Sequence, residues 1–262
     1  MVSSHSAERK NYLRMYEQEY FLCERRSSIC VRRGAVFRKY DKYRNAEKLR
    51  REFAAAQRFF AMGIPTPEPI RCGLTDDQRP YVEFVYHEMA HLQSAESFQA
   101  ALPIFRFWQE VAEAASNDVC GSDADAFYVA DLDFGLSFLP EKEQSEAKQI
   151  LCNILCENEG NCVYVHGDMS LDNIGQDDRT GKLLLYDFGS AAKFCRSWDM
   201  AYLFASVPSA WVSRPVPSAL VPMIRLAAAV KLGRGIRKQQ EVGNRTKIFQ
   251  DWWEPHDYIC RG

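Results

Sequence analysis

The sequence predicts an α+β protein of two lobes, a small antiparallel sheet with one helix over residues 1–89 and a larger, mainly helical lobe over 90–262. Three observations predict it. Short apolar runs separated by polar turns fill the chain up to about residue 86, which is the mark of hairpins. From Ser97 onward apolar residues recur mostly at helical spacing. Two short apolar runs then interrupt the helices and bracket a loop rich in Asp and Asn.

The elements follow in order. Ser28–Arg32 and Ala35–Tyr40 read as a hairpin turning at Arg33-Gly34. Residues 44–62 have a helical period, with Leu49, Phe53, Ala56 and Phe60 on one face and charges around the rest. Gly63 and Pro65-Thr66-Pro67 end that helix, because proline lacks the amide that would continue it. A second hairpin turns at Asp76–Pro80 into the strand Tyr81–Tyr86. Helices are expected over 98–116 and 141–157, and strands over Cys162–Val165 and Leu183–Tyr186. Prolines at 208, 215, 217 and 222 mark irregular connection around the start of a last helix over 219–239. No internal repeat or low-complexity tract is present.

Length and composition suit one large domain or two tightly associated lobes. Hydrophobic residues make up 47% of the 262, enough for a sizeable core. A net charge of −2 gives no general attraction to nucleic acid or to a membrane surface, so neither is expected as a partner. The basic residues Lys231, Arg234, Arg237 and Lys238 read as a solvated helix face. The nine cysteines include no Cys-x-x-Cys, so a zinc site is not supported. Cys152 and Cys156, in a helical pattern with Ile150 and Leu151, read as buried thiols. Neither a signal-peptide pattern nor a membrane-length apolar stretch is present, and Val2 excludes the myristoylation pattern. A cytoplasmic location with reduced cysteines is therefore expected.

The chemistry is concentrated in His166-Gly167-Asp168-Met169-Ser170-Leu171-Asp172-Asn173, followed by Leu185-Tyr186-Asp187-Phe188-Gly189. This places an acid, an amide five residues later and a second acid close together. Phosphoryl transfer from a nucleotide is mainly a matter of positioning and charge neutralisation. Asp168 is the candidate base for an attacking hydroxyl. Asn173 and Asp187 are candidate ligands for Mg2+, a neutral and a charged oxygen that leave room for water and phosphate. His166 is expected to hold the loop backbone, and Asp172 to face solvent or cap locally.

Lys39 lies on the second strand of the first hairpin, where its ammonium can reach nucleotide phosphates. Glu52 and Glu47 are the candidates to hold it, and Glu52 shares the Leu49–Ala56 face of the helix. Strand alternation allows only one of Arg38 and Lys39 to face a cleft. A glycine-rich phosphate loop is missing, Gly34 being the only glycine before residue 60. Glu24–Ser28 stands in its place, where Ser27 and Ser28 either contact phosphate or form a plain polar turn.

These runs resemble the aminoglycoside phosphotransferase and choline kinase family, which has the bilobal protein-kinase-like fold. "HGDMSLDNIG" resembles that family's catalytic loop and "LLLYDFG" its metal loop. "EFAAAQRFFAMGIPTP" is similar to its Glu-bearing helix and the turn after it. "FRKY" stands where the family has its phosphate-binding Lys, "VYHEMAHL" where it has the linker, and "SWDMAYL" resembles its later Asp element. The resemblance covers roughly residues 28–205. It implies that Asp168 is the catalytic base and that Asn173 and Asp187 bind Mg2+. It also implies that Lys39 with Glu52 positions the phosphates of ATP or GTP. Backbone groups of Glu88, Met89 and Ala90 would hold the base, and Asp199 would brace the catalytic loop.

Two features point to a small-molecule acceptor. Gly167 stands where regulated protein kinases carry an Arg that pairs with a phosphorylated segment, and only eleven residues separate Asp187 from Asp199. An atypical protein serine/threonine kinase and a pseudokinase scaffold are the alternatives. Residues 90–160 hold 13 acidic side chains against 3 basic ones. Placed beside the catalytic loop, they would favour a cationic acceptor, aminoglycoside-like or an amino alcohol.

Overall fold

The computed structural model describes residues 20–25, 27–92, 94–115, 125–157, 162–212, 216–237 and 243–253. Cys120, Pro215, Lys238, Cys260 and the side chain of Cys156 lie outside the described set.

Five antiparallel strands, β1 (Tyr20–Glu24), β2 (Ser28–Arg33), β3 (Val36–Asp41), β4 (Pro69–Leu74) and β5 (Pro80–Val85), form one sheet in the order β1-β2-β3-β5-β4. Gly34 makes the β2–β3 turn with φ +61°, a left-handed conformation that glycine adopts without strain. β3 is central, paired to β2 on one side and β5 on the other. Its alternation sends Arg38 and Lys39 to opposite faces, and both are buried. Arg38 donates to Glu83 of β5 at 2.7 Å and to the Tyr40 hydroxyl at 2.9 Å, leaving Lys39 for the other face.

Helix α1 (Ala46–Ala61) covers that face. Its N-terminus is held by two acceptors. The Asn45 side chain accepts from the Lys48 amide at 2.9 Å, an N-cap that satisfies one of the orphan amides of the first turn. The Asp41 carboxylate accepts from the amides of Tyr43 (2.9 Å) and Asn45 (3.1 Å) and from the Lys48 ammonium (2.8 Å). The buried face comprises Leu49, Glu52, Phe53, Ala55, Ala56 and Phe59. Phe60, expected inside, is 46% exposed, whereas Phe59 is 1% exposed. A helical period alone leaves either position possible at the end of the stripe. The second lobe decides it, because the Phe59 ring lies 5.2 Å from that of Phe188 and 6.0 Å from that of Tyr164.

The chain crosses to the second lobe through β6 (Met89–His91). β6 pairs with β8 (Ile174–Asp177), which pairs in turn with β9 (Leu183–Leu185). A separate ribbon joins β7 (Val163–Val165) to β10 (Ala192–Phe194). Around them stand helices α2 (Ala95–Ala114), α3 (Asp125–Leu136), α4 (Glu141–Glu157), α5 (Trp198–Phe204), α6 (Val221–Arg237) and α7 (Gly243–Trp253). α6 is buried along most of its length. Its backbone meets that of α3 so closely that a Cβ on Gly233 would fall 1.7 Å from the Asp131 carbonyl oxygen. Only glycine fits there.

Several elements have no periodicity to read. α5 is buried on every side, and β6, β8 and β10 are three or four residues long. Cys152 is exposed on α4, contrary to the expectation of a buried thiol, because the apolar stripe of that helix does not extend to it. Among the described residues no helix is long and apolar enough to cross a membrane.

Asp41 yields a test of how α1 is positioned. Burial raises its carboxyl pKa, but the Lys48 ammonium and the two amides outweigh this, and the net shift is downward. A depressed carboxylate pKa stabilises the fold above the unfolded value and loses that contribution as pH falls through the folded one. Asp41→Asn is expected to cost about 2 kcal/mol at neutral pH in urea unfolding. The gap to the parent chain should close below about pH 4, and equal stability of the two proteins at pH 7 would refute the role.

Candidate active site

β7 delivers the loop His166–Asn173, and α5 holds it from below. Asp199, in the first turn of α5, accepts the backbone N–H of His166 at 2.7 Å and of Gly167 at 2.8 Å. The fully buried His166 ring lies 3.1 Å from the Tyr186 carbonyl through Nε2, and its Nδ1 is 3.3 Å from the Asp168 amide. These partners are satisfied if Nε2 carries the proton and Nδ1 accepts. The ring is edge-on to Phe188 at 5.0 Å. Gly167 has φ +77°. An L-residue pays about 1–2 kcal/mol to enter that left-handed region, so the absence of Arg here has a conformational reason besides a regulatory one.

The loop ends in a single 3₁₀ turn at Asn173. The Asn173 amide nitrogen donates to the Asp168 carbonyl at 2.8 Å, which leaves its side-chain oxygen as the acceptor turned elsewhere. Asp187 follows β9 with φ +64° and ψ +67°. A non-glycine residue there carries backbone strain of order 1–3 kcal/mol and persists only where its surroundings hold it. Two cations do so: Lys39 Nζ lies 3.0 Å from Oδ1 and Arg25 Nη1 3.2 Å from Oδ2. Lys39 also donates to both Glu52 oxygens, at 2.7 and 3.0 Å. The Lys39 ammonium beside Asp187 holds its carboxyl well below the ordinary range despite burial. Burial pulls the Lys39 pKa down, but Asp187 and Glu52 together raise it above its ordinary value.

Two cavities meet at this trio. One, of about 490 Å³, is lined by apolar groups including Phe37, Phe84, Met89 and Phe188. The other, of about 860 Å³, is polar and is lined by Ser27, Ser28, Asp168, Asn173 and Asp187 among others. Lys39, Glu52, Arg25, His91 and Asp187 line both. The structure thus brings Lys39, Glu52, Asp168, Asn173, Asp187, Ser27 and Ser28 to one cleft. It brings Met89 of the linker to the apolar cavity, but Glu88 and Ala90 do not line either one. The Glu88 carbonyl instead accepts from the Asp178 amide at 2.9 Å, as part of the join between linker and β8.

Two expectations are corrected. Lys231 and Arg234 are not a solvated face: they are 8% and 6% exposed and line the polar cavity. Arg234 bridges Asp131 Oδ2 (3.2 Å), the Tyr202 hydroxyl (3.2 Å) and Asp168 Oδ2 (3.4 Å), and Arg237 reaches Asp131 Oδ1 at 2.8 Å. With α6 packed on nearly all sides, Lys231 and Arg234 line the cavity that the His166–Asn173 loop lines too. Lys231 inside the Ala- and Leu-rich run 226–232, with Arg234 three residues on, is the signal that could have shown this. The second correction concerns the acidic stretch 90–160. Among the described residues none of its acids lines either cavity. Asp131 is engaged by two arginines, Glu113 pairs with Arg196, and Asp133 pairs with Lys148. The described acids of that stretch therefore lend no support to a cationic acceptor.

No protein-family model and no curated protein matches this sequence. Solved structures do match. A choline/ethanolamine kinase family protein from Mesorhizobium loti superimposes with a TM-score of 0.65 at 14% identity, covering 97% of this chain and 96% of that one. The fold is protein-kinase-like. The GDP complex of aminoglycoside 2'-phosphotransferase-IIIa gives 0.63 at 12% identity, over 95% of this chain and 98% of that one. Amicoumacin kinase, in complex with AMP-PNP, Ca2+ and Ami, gives 0.61 at 12% identity, over 98% and 99%. In each case the shared fold spans both lobes.

Asp199 provides a test within this kinase-like fold. Asp199→Ala leaves two loop amides without an acceptor in the interior. We expect a loss of about 3 kcal/mol in chemical denaturation, with faster hydrogen exchange at the His166 and Gly167 amides. Unchanged exchange at those two amides would show that Asp199 does not brace the loop.

Proposed function

We propose that the chain is a small-molecule kinase that transfers the γ-phosphoryl group of ATP or GTP to a hydroxyl of its acceptor. One observation carries this reading: the Lys39–Glu52–Asp187 network opens onto the same polar cavity as Asp168 and Asn173. The adjoining apolar cavity is large enough for a planar base between the lobes, which divide near residue 89.

In this reading the acceptor hydroxyl gives its proton to an Asp168 carboxylate oxygen as its own oxygen bonds to the γ-phosphorus. The bond from that phosphorus to the bridging oxygen breaks, and the nucleoside diphosphate leaves. Lys39, kept charged by its two carboxylates, faces the phosphates, and Glu52 prevents the ammonium from swinging away. The donor set fits Mg2+, because Asp187 is held ionised and the Asn173 amide nitrogen is already engaged, which turns its oxygen toward a cation. When bound, the ion neutralises charge on the phosphates. Ser27 and Ser28 line the same cavity, where their hydroxyls would meet phosphate oxygens.

The stretch between Asp187 and Asp199 supports a small acceptor rather than a protein. It is taken up by a 3₁₀ turn (Phe188–Ser190), by β10 and by the start of α5. Phe188, Phe194 and Trp198 anchor it in the core. No free segment remains there to dock a peptide. The complete set Lys39, Glu52, Asp168, Asn173 and Asp187 likewise supports catalysis over a scaffold role.

Nucleotide turnover with Mg2+ against a panel of alcohols tests the reading. Asp168→Asn should lower kcat by roughly 10²–10⁴-fold while keeping nucleotide affinity. Lys39→Met should instead abolish most of the thermal stabilisation by magnesium nucleotide. A parent protein that gains no stability from magnesium ATP or GTP would exclude the proposal.

A further inference from the structure

The polar cavity has a second group of charged residues that the phosphoryl-transfer chemistry does not use. Lys231 and Arg234, three residues apart on α6, share a face. Arg245 arrives from α7, and its Nη1 donates to the Lys231 carbonyl at 3.1 Å. All three line the cavity beside Asp168, and none lines the apolar cavity. Arg234 is engaged by Asp131, Tyr202 and Asp168. Lys231 is not so engaged. Its ammonium sits 5.3 Å over the Tyr202 ring and makes no ion pair among the described residues, although the side chain is more than nine-tenths buried.

A buried ammonium without a carboxylate is costly, and such groups are normally paired. Burial brings the Lys231 pKa down to about 8, with Asp168 and Asp172 opposing and Arg245 and Arg234 reinforcing the fall. An anion at this place would favour the charged form and offset the mutual repulsion of three cations. On the kinase reading the nucleotide phosphates would be held by Lys39, the Asp187 loop and the serines from the first lobe, which leaves Lys231 and Arg245 for another anion. Lys231 and Arg245 come from α6 and α7 and line the same polar cavity as Asp168.

We infer that the acceptor is a small hydroxyl-bearing anion, a carboxylate or a phosphate ester, whose negative group is held by Lys231 and Arg245 while its hydroxyl meets Asp168. This rests on the kinase reading above and replaces the cationic acceptor expected from the sequence. Arg234 acts as a positioning residue, linking Asp168 to Asp131 and Tyr202.

The test is a titration of glycerate, glycerol 3-phosphate, glycerol and choline into the protein, followed by thermal shift with and without saturating magnesium AMP-PNP. One or both anions should give a saturable rise in Tm, and the two arms separate a carboxylate site from a phosphate site. Glycerol and choline should give none. Lys231→Met and Arg245→Met should each weaken the anion effect at least tenfold and leave the AMP-PNP shift intact. Arg245 is half-buried at the edge of the cavity, so its variant remains informative if Lys231→Met does not fold. The inference is overturned by choline binding in place of the anions, by anion binding unchanged in both variants, or by variants that lose AMP-PNP affinity instead. Failure of AMP-PNP to shift the parent protein would refute the kinase reading, while the nucleotide-free arm still reports on the anion site.

Discussion

The Lys39 ammonium, buried between the carboxylates of Glu52 and Asp187, ties three separate parts of the chain to one point. β3 supplies the cation, α1 the first anion and the loop after β9 the second. Each of these groups would be costly to bury alone, and together they are tolerated. The trio thereby fixes how the helix lies on its sheet and how the first lobe meets the second. It also accounts for the left-handed backbone at Asp187, which has cations on both carboxylate oxygens to hold it. The cleft is arranged around this cluster, with an apolar cavity on one side and a polar one on the other.

A second constraint lies beneath the first. Asp199 fastens the backbone of the loop at two successive amides, and the His166 ring joins that loop to the chain just before Asp187. The His166–Asn173 loop and the Asp187 loop are therefore braced against each other by buried hydrogen bonds and by the packing of Phe59, His166 and Phe188. The close approach of α3 and α6 at Gly233 adds a third fixed element, because it sets where the α6 cations fall. Those cations give the polar cavity beside Asp168 a character opposite to that of the acidic stretch 90–160.

Much of the first lobe is legible in the chain. Hairpins with polar turns and one amphipathic helix leave local signals, and helix period and strand alternation put Glu52 and Lys39 on facing surfaces. The limit of such signals is visible at Phe59 and Phe60, where the period allows either and the rings of the second lobe choose one. The second lobe is less legible. α5 is buried on every side, Asp199 included, β6, β8 and β10 are too short to show alternation, and α6 buries Lys231 and Arg234. A charge reading based on sequence neighbourhood fails there, since among the described acids of 90–160 none lines either cavity and Asp131, Glu113 and Asp133 are paired with Arg234, Arg237, Arg196 and Lys148.

By itself the sequence determined the residue types of the phosphoryl-transfer set, their spacing along two loops, and the sheet-then-helix order of the lobes. These depend on short stretches whose chemistry and periodicity are local. Only the tertiary structure decided which charges face the cleft. Long-range packing buries Lys231 and Arg234 beside Asp168 and leaves the described acids of 90–160 at the surface or paired elsewhere. The reason is physical: the field in a cleft is made by the groups that line it, and the lining comes from segments far apart in the chain.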